Sequence, residues 1–238
     1  MKWIQKKNEP NELKEWRSRN SNDINFGYSL MRQDHAVVKA VTHSLLEEQG
    51  WLCAYTGLII DEGKCHIEHL KPQTQCTPAE TVLYSNIVAC YPEPNIGYKL
   101  PYGAHKKDHW PAPNEQHLFV SPLDPSCQSR FIFTLRGQIK SKDGDDAAAM
   151  TITKLGLDHS ELEDKRKAAI QGTIGLTNNL SLKDARRRLR KLKTQQGGKL
   201  DEFCFVLVQA VEKHISRLEA IAKSKAQKKA KKSKGNNK

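Results

Sequence analysis

The segment from Cys53 to about Trp110 constrains the fold more than any other part of the chain. It is dense in Cys, His, Pro, Gly and Asn, and its extended pieces are short, Cys65-His66-Ile67-Glu68-His69-Leu70 among them. That texture builds a site and not a core. Apolar periodicity lies on either side of it. From Asp34, the residues Val37, Val38, Val41, Leu45 and Leu46 recur at helical spacing, and Gly50 stands where a glycine ends a helix. On the far side, Arg130 to Ile139 reads as a β-hairpin turning near Arg136-Gly137, and Lys142 to Asp146 as a polar turn. The remainder reads as helical. One helix is predicted over roughly Ser160 to Gln171. A second opens at Ser181, with Asp184 placed to complete a cap, and carries Leu182, Ala185, Leu189 and Leu192 on one face. A third, about Leu200 to Ala222, has an apolar stripe through Phe203, Leu207, Ala210, Val211, His214, Leu218 and Ile221. The predicted class is α+β, mainly helical.

Composition narrows the function classes. With 37% hydrophobic and 28% charged residues over 238 positions, the chain is globular and can bury a real core. No apolar run is long enough to span a bilayer, and Met1 to Lys7 has no apolar stretch of the signal-peptide kind. The expectation is therefore a cytoplasmic protein with no membrane partner. The net charge of +12 is unevenly spread, because eight lysines and no acid fall in 223–238 and leave +4 on the body. Such a tail either binds a polyanion through counterion release or serves as a solvated, disordered solubility segment; both readings stand. The six cysteines, Cys53, Cys65, Cys76, Cys90, Cys127 and Cys204, are expected as thiols in that compartment, and no C-x-x-C pair is intact.

His66, Glu68 and His69 fall within one short strand, and His105 and His109 follow among lysines. A carboxylate beside a histidine at a strand end is what metal-assisted phosphodiester cleavage needs. One holds a divalent cation against the phosphate while the imidazole takes a proton from the attacking water. Successive residues of a regular strand face opposite ways, so Glu68 and His69 converge on one phosphate only if the strand bends or ends there. Pro72 fits such an ending. Asn86 would position the loop or the imidazole through its amide, although alone it reads as a turn residue. His66 shares the strand face of Glu68 and would support the metal. The basic helix face of Arg186, Arg187, Arg188, Arg190, Lys191 and Lys193 is a solvated face in most proteins; beside a nuclease centre it reads as a phosphate-binding one.

The strings CAYTG, CHIEHLKPQ, YSNIVAC and YGAHKKDHW, between Cys53 and Trp110, resemble the HNH (ββα-metal) endonucleases. With FVSPLDPSC and RFIFTLRGQI, from Phe119 to Ile139, and the opening IQKKNEPNEL, the chain looks most like the HNH subunit of Septu and retron-associated anti-phage systems, the PtuB-like proteins. The resemblance implies a ββα-metal finger inserted among helices and hydrolysis of phosphodiester bonds to products with 5′ phosphates. It implies His69 as general base, Glu68 as metal ligand and Asn86 as the central asparagine. The third position falls in YGAHKKDHW, where His105 is the choice for the second metal ligand and Lys106 and His109 are rivals. Lys71, Lys106, Lys107, Arg187, Arg190 and Lys191 are then the candidate nucleic-acid contacts. The implied partners are a nucleic acid (DNA or RNA), a PtuA-like ABC-type ATPase that holds the nuclease as a toxic effector, and, in retron-associated systems, a reverse transcriptase with its RNA–DNA hybrid. The chain then divides into an N-terminal extension (1–34) open to partner contact, an HNH nuclease core (35–140), a helical C-terminal region (141–222) and a disordered Lys-rich tail (223–238).

Many HNH folds staple the finger with zinc held between two C-x-x-C pairs. Here the first pair reads Cys53-Ala54-Tyr55-Thr56, and the second keeps Cys90 but has Tyr102 where its partner would stand. Two thiolates do not close a tetrahedral site, so no structural Zn²⁺ is expected, and packing of Tyr55 and Tyr102 would replace it. The labile catalytic ion is expected to be Mg²⁺ or Mn²⁺. The rival reading is a degenerate finger that grips nucleic acid or a protein without cutting. The altered cysteines and the open third position favour it; the intact Glu68-His69 and Asn86 oppose it.

Overall fold

A computed structural model describes residues 1–177 and 179–235. The chain runs through α1 (Asn11–Asn20), the single turn α2 (Tyr28–Met31), α3 (His35–Gln49), strand β1 (His66–His69), the short α4 (Pro78–Thr81), β2 (Ile87–Cys90), the single turn α5 (Ala104–Lys107), the hairpin β3 (Phe131–Phe133) and β4 (Ile139–Ser141), then α6 (Asp146–Leu155), α7 (Ser160–Ile174), α8 (Leu182–Leu192) and α9 (Cys204–Gly235). The architecture is α+β, with helices around two small antiparallel sheets. Among the described residues no helix is long and apolar enough to cross a membrane.

The ends of α3 follow from its sequence. Asp34 accepts the Val37 N–H at 3.2 Å, and Gly50 closes the helix in the left-handed conformation at φ 61°. In α8, Ser181 accepts the Asp184 N–H at 3.1 Å as the cap pattern predicts. Helix α6 begins directly after the polar turn, capped by Asp145, within the segment that reads only broadly as helical. The largest departure is at the other end. The sequence predicts disorder from Lys223, yet α9 continues to Gly235. Lys, Ala and Gln are good helix formers, no Gly or Pro interrupts them, and they propagate a helix already nucleated by packing. Residues 236–238 of that predicted tail lie outside the described residues.

One cluster of buried residues extends from Met1 to Val211. The predicted N-terminal extension contributes Met1, Ile4, Leu13, Trp16 and Met31 to it. Strands β1 and β2 pair with His66 opposite Cys90, Glu68 opposite Val88 and His69 opposite Ile87. Two strands alone are marginal in water, so the pair needs support from outside. Buried Gln49 supplies part of it: its Nε2 donates to the carbonyls of Leu52 and Ala89, and its Oε1 accepts the Ala89 N–H, each at 2.8 Å. The approach to α9 supplies more. Leu200 N donates to Gly50 O and Phe203 N to Gly57 O, and the Phe205 ring lies so near Gly57 that a Cβ there would come within 2.5 Å of it. Gly57 also has φ 79°, so conformation and space both require glycine.

Candidate functional site

Strand β1 alternates half-buried and buried residues, so His66 and Glu68 share one face while Ile67 enters the core. That face borders an open cavity of about 570 Å³, lined also by His69, Gln73, His105 and His109. His69 is the last residue of the strand, and this is where it and Glu68 come to one cavity, as the sequence required.

The His69 ring is buried. Its Nε2 donates to the Thr81 carbonyl at 2.8 Å, which leaves Nδ1 as the acceptor of the neutral ring. Tyr28 meets it edge-on at 4.7 Å. Burial lowers the pKa of His69 below its ordinary value, against smaller upward effects of the Thr81 bond and Glu68. The ring is thus neutral, oriented and able to take a proton.

Glu68 is held by two neighbours and faces a third. Lys107 Nζ lies 2.9 Å from Oε1, Tyr55 donates its hydroxyl to the same oxygen at 3.4 Å, and His66 Nε2 is 3.9 Å from Oε2. His66 Nδ1 donates to the Pro92 carbonyl, so its Nε2 carries the lone pair that faces Glu68. His105 stacks at a tilt on His66, with centroids 6.0 Å apart, and burial followed by His66 and Lys99 lowers its pKa. Its Nδ1 accepts the Leu100 N–H at 3.2 Å, which places the ring proton on Nε2. His105 can therefore offer a lone pair to a metal only by releasing Leu100. His109 is exposed at the cavity edge beside Asp108, 3.5 Å away.

Glu68 Oε2 and His66 Nε2 are 3.9 Å apart, wider than the roughly 3 Å between neighbouring ligands of an octahedral cation with bonds of about 2.1 Å, so the two side chains would close on an ion as it bound. An ion held by few protein ligands and completed by water and phosphate oxygens, as Mg²⁺ commonly is, fits this pair. A closed site does not: among the described residues no group of three or more His, Cys, Asp or Glu is placed to hold a metal ion.

Asn86 stands behind the cavity. Its Oδ1 accepts the Lys71 N–H at 2.9 Å, and its amide donates to the Lys71 and Glu80 carbonyls at 3.4 Å and to Cys76 Sγ at 3.5 Å. It ties the start of the 71–86 connection to its end, and that connection carries the Thr81 carbonyl that orients His69.

No family model matches the chain. A protein of Vibrio cholerae serotype O1 biovar El Tor, named "Retron Vc95 putative HNH endonuclease", is 31% identical over 162 residues, covering 62% of this chain and 75% of that one. The chain belongs to the HNH endonucleases.

Among HNH endonuclease features expected from the sequence, Lys107 is placed differently. The sequence counts it among nucleic-acid contacts, but its side chain is 0% exposed and its ammonium bonds Glu68 and, at 2.8 Å, the His69 carbonyl. The single turn α5 points it under β1, where phosphate cannot reach it. Lys106, on the same turn, lies against Gly156 and does not line the cavity. Lys71 pairs with Glu80 at 2.6 Å. Arg187, Arg190 and Lys191 are on α8, outside the cavity lining, with Arg187 paired to Asp184 at 2.9 Å.

Cys53 and Cys90 are both buried and hydrogen-bonded to each other. Burial pushes the Cys53 thiol up, but bonds from Cys90, Thr56 and the Tyr91 N–H together outweigh it and bring it down to about 6. Burial and Cys53 push Cys90 well above its ordinary value. Thr56 and Cys90 thus stand with Cys53, while the Tyr102 hydroxyl turns away to Glu161 at 2.9 Å. Sequence reasoning missed Tyr28 against His69 and Lys107 under Glu68, since no local pattern announces a contact made across the fold.

Proposed function

We propose that this HNH endonuclease hydrolyses phosphodiester bonds of DNA or RNA with His69 as general base. The observation that carries the reading is the His69 ring, locked by the Thr81 carbonyl with Nδ1 left as a base, beside the open face of Glu68 and His66. In this reading the phosphate enters the cavity and His69 takes the proton of the attacking water. Glu68 and His66 hold a divalent cation, Mg²⁺ or Mn²⁺, with His105 joining if it releases Leu100. Such an ion, when bound, polarises the phosphate and stabilises the leaving oxygen. Asn86 keeps the 71–86 connection, and with it Thr81, in place. Lys107 fixes the Glu68 carboxylate and the end of β1 from below. The V. cholerae relative bears a retron name, which supports a retron context for this chain; the defence role as effector, with a PtuA-like ATPase and a reverse transcriptase with its RNA–DNA hybrid, rests on the sequence resemblance.

His69→Ala tests the assignment. Loss of a positioned general base costs about 10²–10⁴-fold, so cleavage of a labelled nucleic acid with Mg²⁺ or Mn²⁺ should fall by that factor while the circular-dichroism spectrum at the assay temperature stays that of the parent, the lost packing of this buried ring showing only as a lower Tm. Cutting at the parent rate ends the reading. A binding module that no longer cuts is favoured by one observation, the pairing of Glu68 with Lys107. Parent protein that binds nucleic acid but does not cut it with either ion would establish that alternative.

A further inference from the structure

A second cavity, of about 590 Å³, opens where the N-terminal segment passes the 83–85 turn. Lys6, Lys7, Lys14 and Arg17 line it, with Glu9 as the acidic residue among its lining. Arg17 is paired with Glu9 at 3.2 Å. Lys7 and Lys14 are exposed and, among the described residues, have no ion pair. Lys6 is more unusual. Its ammonium rests 3.8 Å from the centroid of the Tyr84 ring and 3.4 Å from Glu48, is covered from solvent, and has no hydrogen-bond partner among the described residues. Burial lowers its pKa to about 8, and the neighbouring Glu48 carboxylate offsets that only in part. Helix α1 begins at the same cavity with Asn11, and its first turn has no side-chain cap, so its N–H groups and positive dipole end add to the field. The lining carries four basic side chains against Glu9, so its net charge favours an anion, while Glu48 beneath it and Glu12 in the first turn of α1 offset part of the field.

We propose that this cavity binds a backbone phosphate of the nucleic-acid substrate, through Lys7, Lys14 and the start of α1. The proposal rests on the nuclease reading above. The cavity wall formed by Leu83, Tyr84 and Ser85 continues directly into Asn86, and the Thr81 carbonyl that orients His69 lies in the same connection. The two cavities thus border one connection, 71–86, with no lining residue in common. Lys6, Tyr84 and Glu48 form the floor and set the charge beneath it.

The test measures binding without cutting. His69→Ala protein in chelator is titrated with fluorescein-labelled single-stranded and duplex oligonucleotides over a range of salt, with and without Lys7→Ala/Lys14→Ala. A Lys39→Ala/Lys140→Ala pair, on α3 and β4, controls for loss of charge alone. Removing two phosphate-binding lysines should reduce the log–log salt slope by about 1.4–1.8 and weaken binding at least about tenfold at low salt, whereas the control pair has a smaller effect. Lys7→Arg/Lys14→Arg should restore binding. Equal effects of the two alanine pairs, or none from Lys7→Ala/Lys14→Ala, overturn the proposal. Cleavage by the parent protein is read separately, so failure of the nuclease reading cannot be mistaken for failure of this one.

Discussion

Lys107→Met probes how the site is assembled. The lysine side chain is fully covered, and its ammonium meets Glu68 Oε1 at 2.9 Å and the His69 carbonyl at 2.8 Å. Methionine keeps most of the length and removes the charge, leaving a carboxylate side chain only 16% exposed without its cation. Removing one partner of a buried pair costs about 3–5 kcal/mol. Glu68 still borders an open cavity, so the low end, about 3 kcal/mol, applies. For a domain of this size, that corresponds to a fall in Tm of about 6–12 °C. The assay is thermal unfolding of the parent, Lys107→Met, Glu68→Gln and the double variant. Because the cost is that of a stranded charge, the double variant should recover at least half of the loss. A Lys107→Met protein melting within about 2 °C of the parent, or a double variant no better than the single one, would refute the reasoning.

The remaining predictions concern pH and the support of the β1–β2 pair. Because burial lowers the pKa of His69, cleavage should hold constant above about pH 6.5 and fall only as pH drops through the lowered value; a rate already halved at pH 7 contradicts the burial argument. The unfolded chain takes up this proton first, so the histidine's contribution to stability is fully present above about pH 6.5 and is lost as pH falls through the folded value. Gln49→Met leaves the Ala89 amide and two carbonyls without their partner and should lower Tm, at about 1–3 kcal/mol for each buried group left unmade, while chelator should leave the parent melt unchanged. Unfolding of the parent by chelator would show instead that a metal holds the β1–β2 pair.

The parts of this molecule legible in its sequence are those decided by neighbours along the chain. Asp34 and Gly50 bound α3, and Ser181 caps α8, because caps and left-handed glycines act within one turn. Glu68 and His69 are legible because they are adjacent, and the strand end that lets them converge is local too. The destinations of Lys107 and His105 are not. Lys107 turns inward because α5 docks beneath β1, and the tautomer of His105 is set by the Leu100 amide. The same limit applies to the Lys-rich segment from Lys223. There the charge run suggests disorder, but continuity with the packed part of α9 carries the helix on to Gly235.

The cysteine pattern and the C-terminal helices explain each other. A finger stapled by zinc can stand with little else, because the metal contributes folding energy outright. Here the corresponding positions hold two buried thiols and a threonine, which bond one another and satisfy their polar groups without fixing the two strands to anything larger. That fixing comes from elsewhere: Gln49 grips the β2 backbone from α3, Phe205 presses on Gly57 from α9, and Tyr102 reaches Glu161 on α7. These attachments join the candidate site to helices far along the chain. In such an arrangement the C-terminal region cannot be a detachable appendage. A force that shifts the start of α9 acts on Gly57, and so on the turn that carries Cys53, Tyr55 and Thr56; Tyr55 in turn donates to Glu68. These attachments make the geometry around Glu68 depend on the packing of α9 against the turn that carries Gly57.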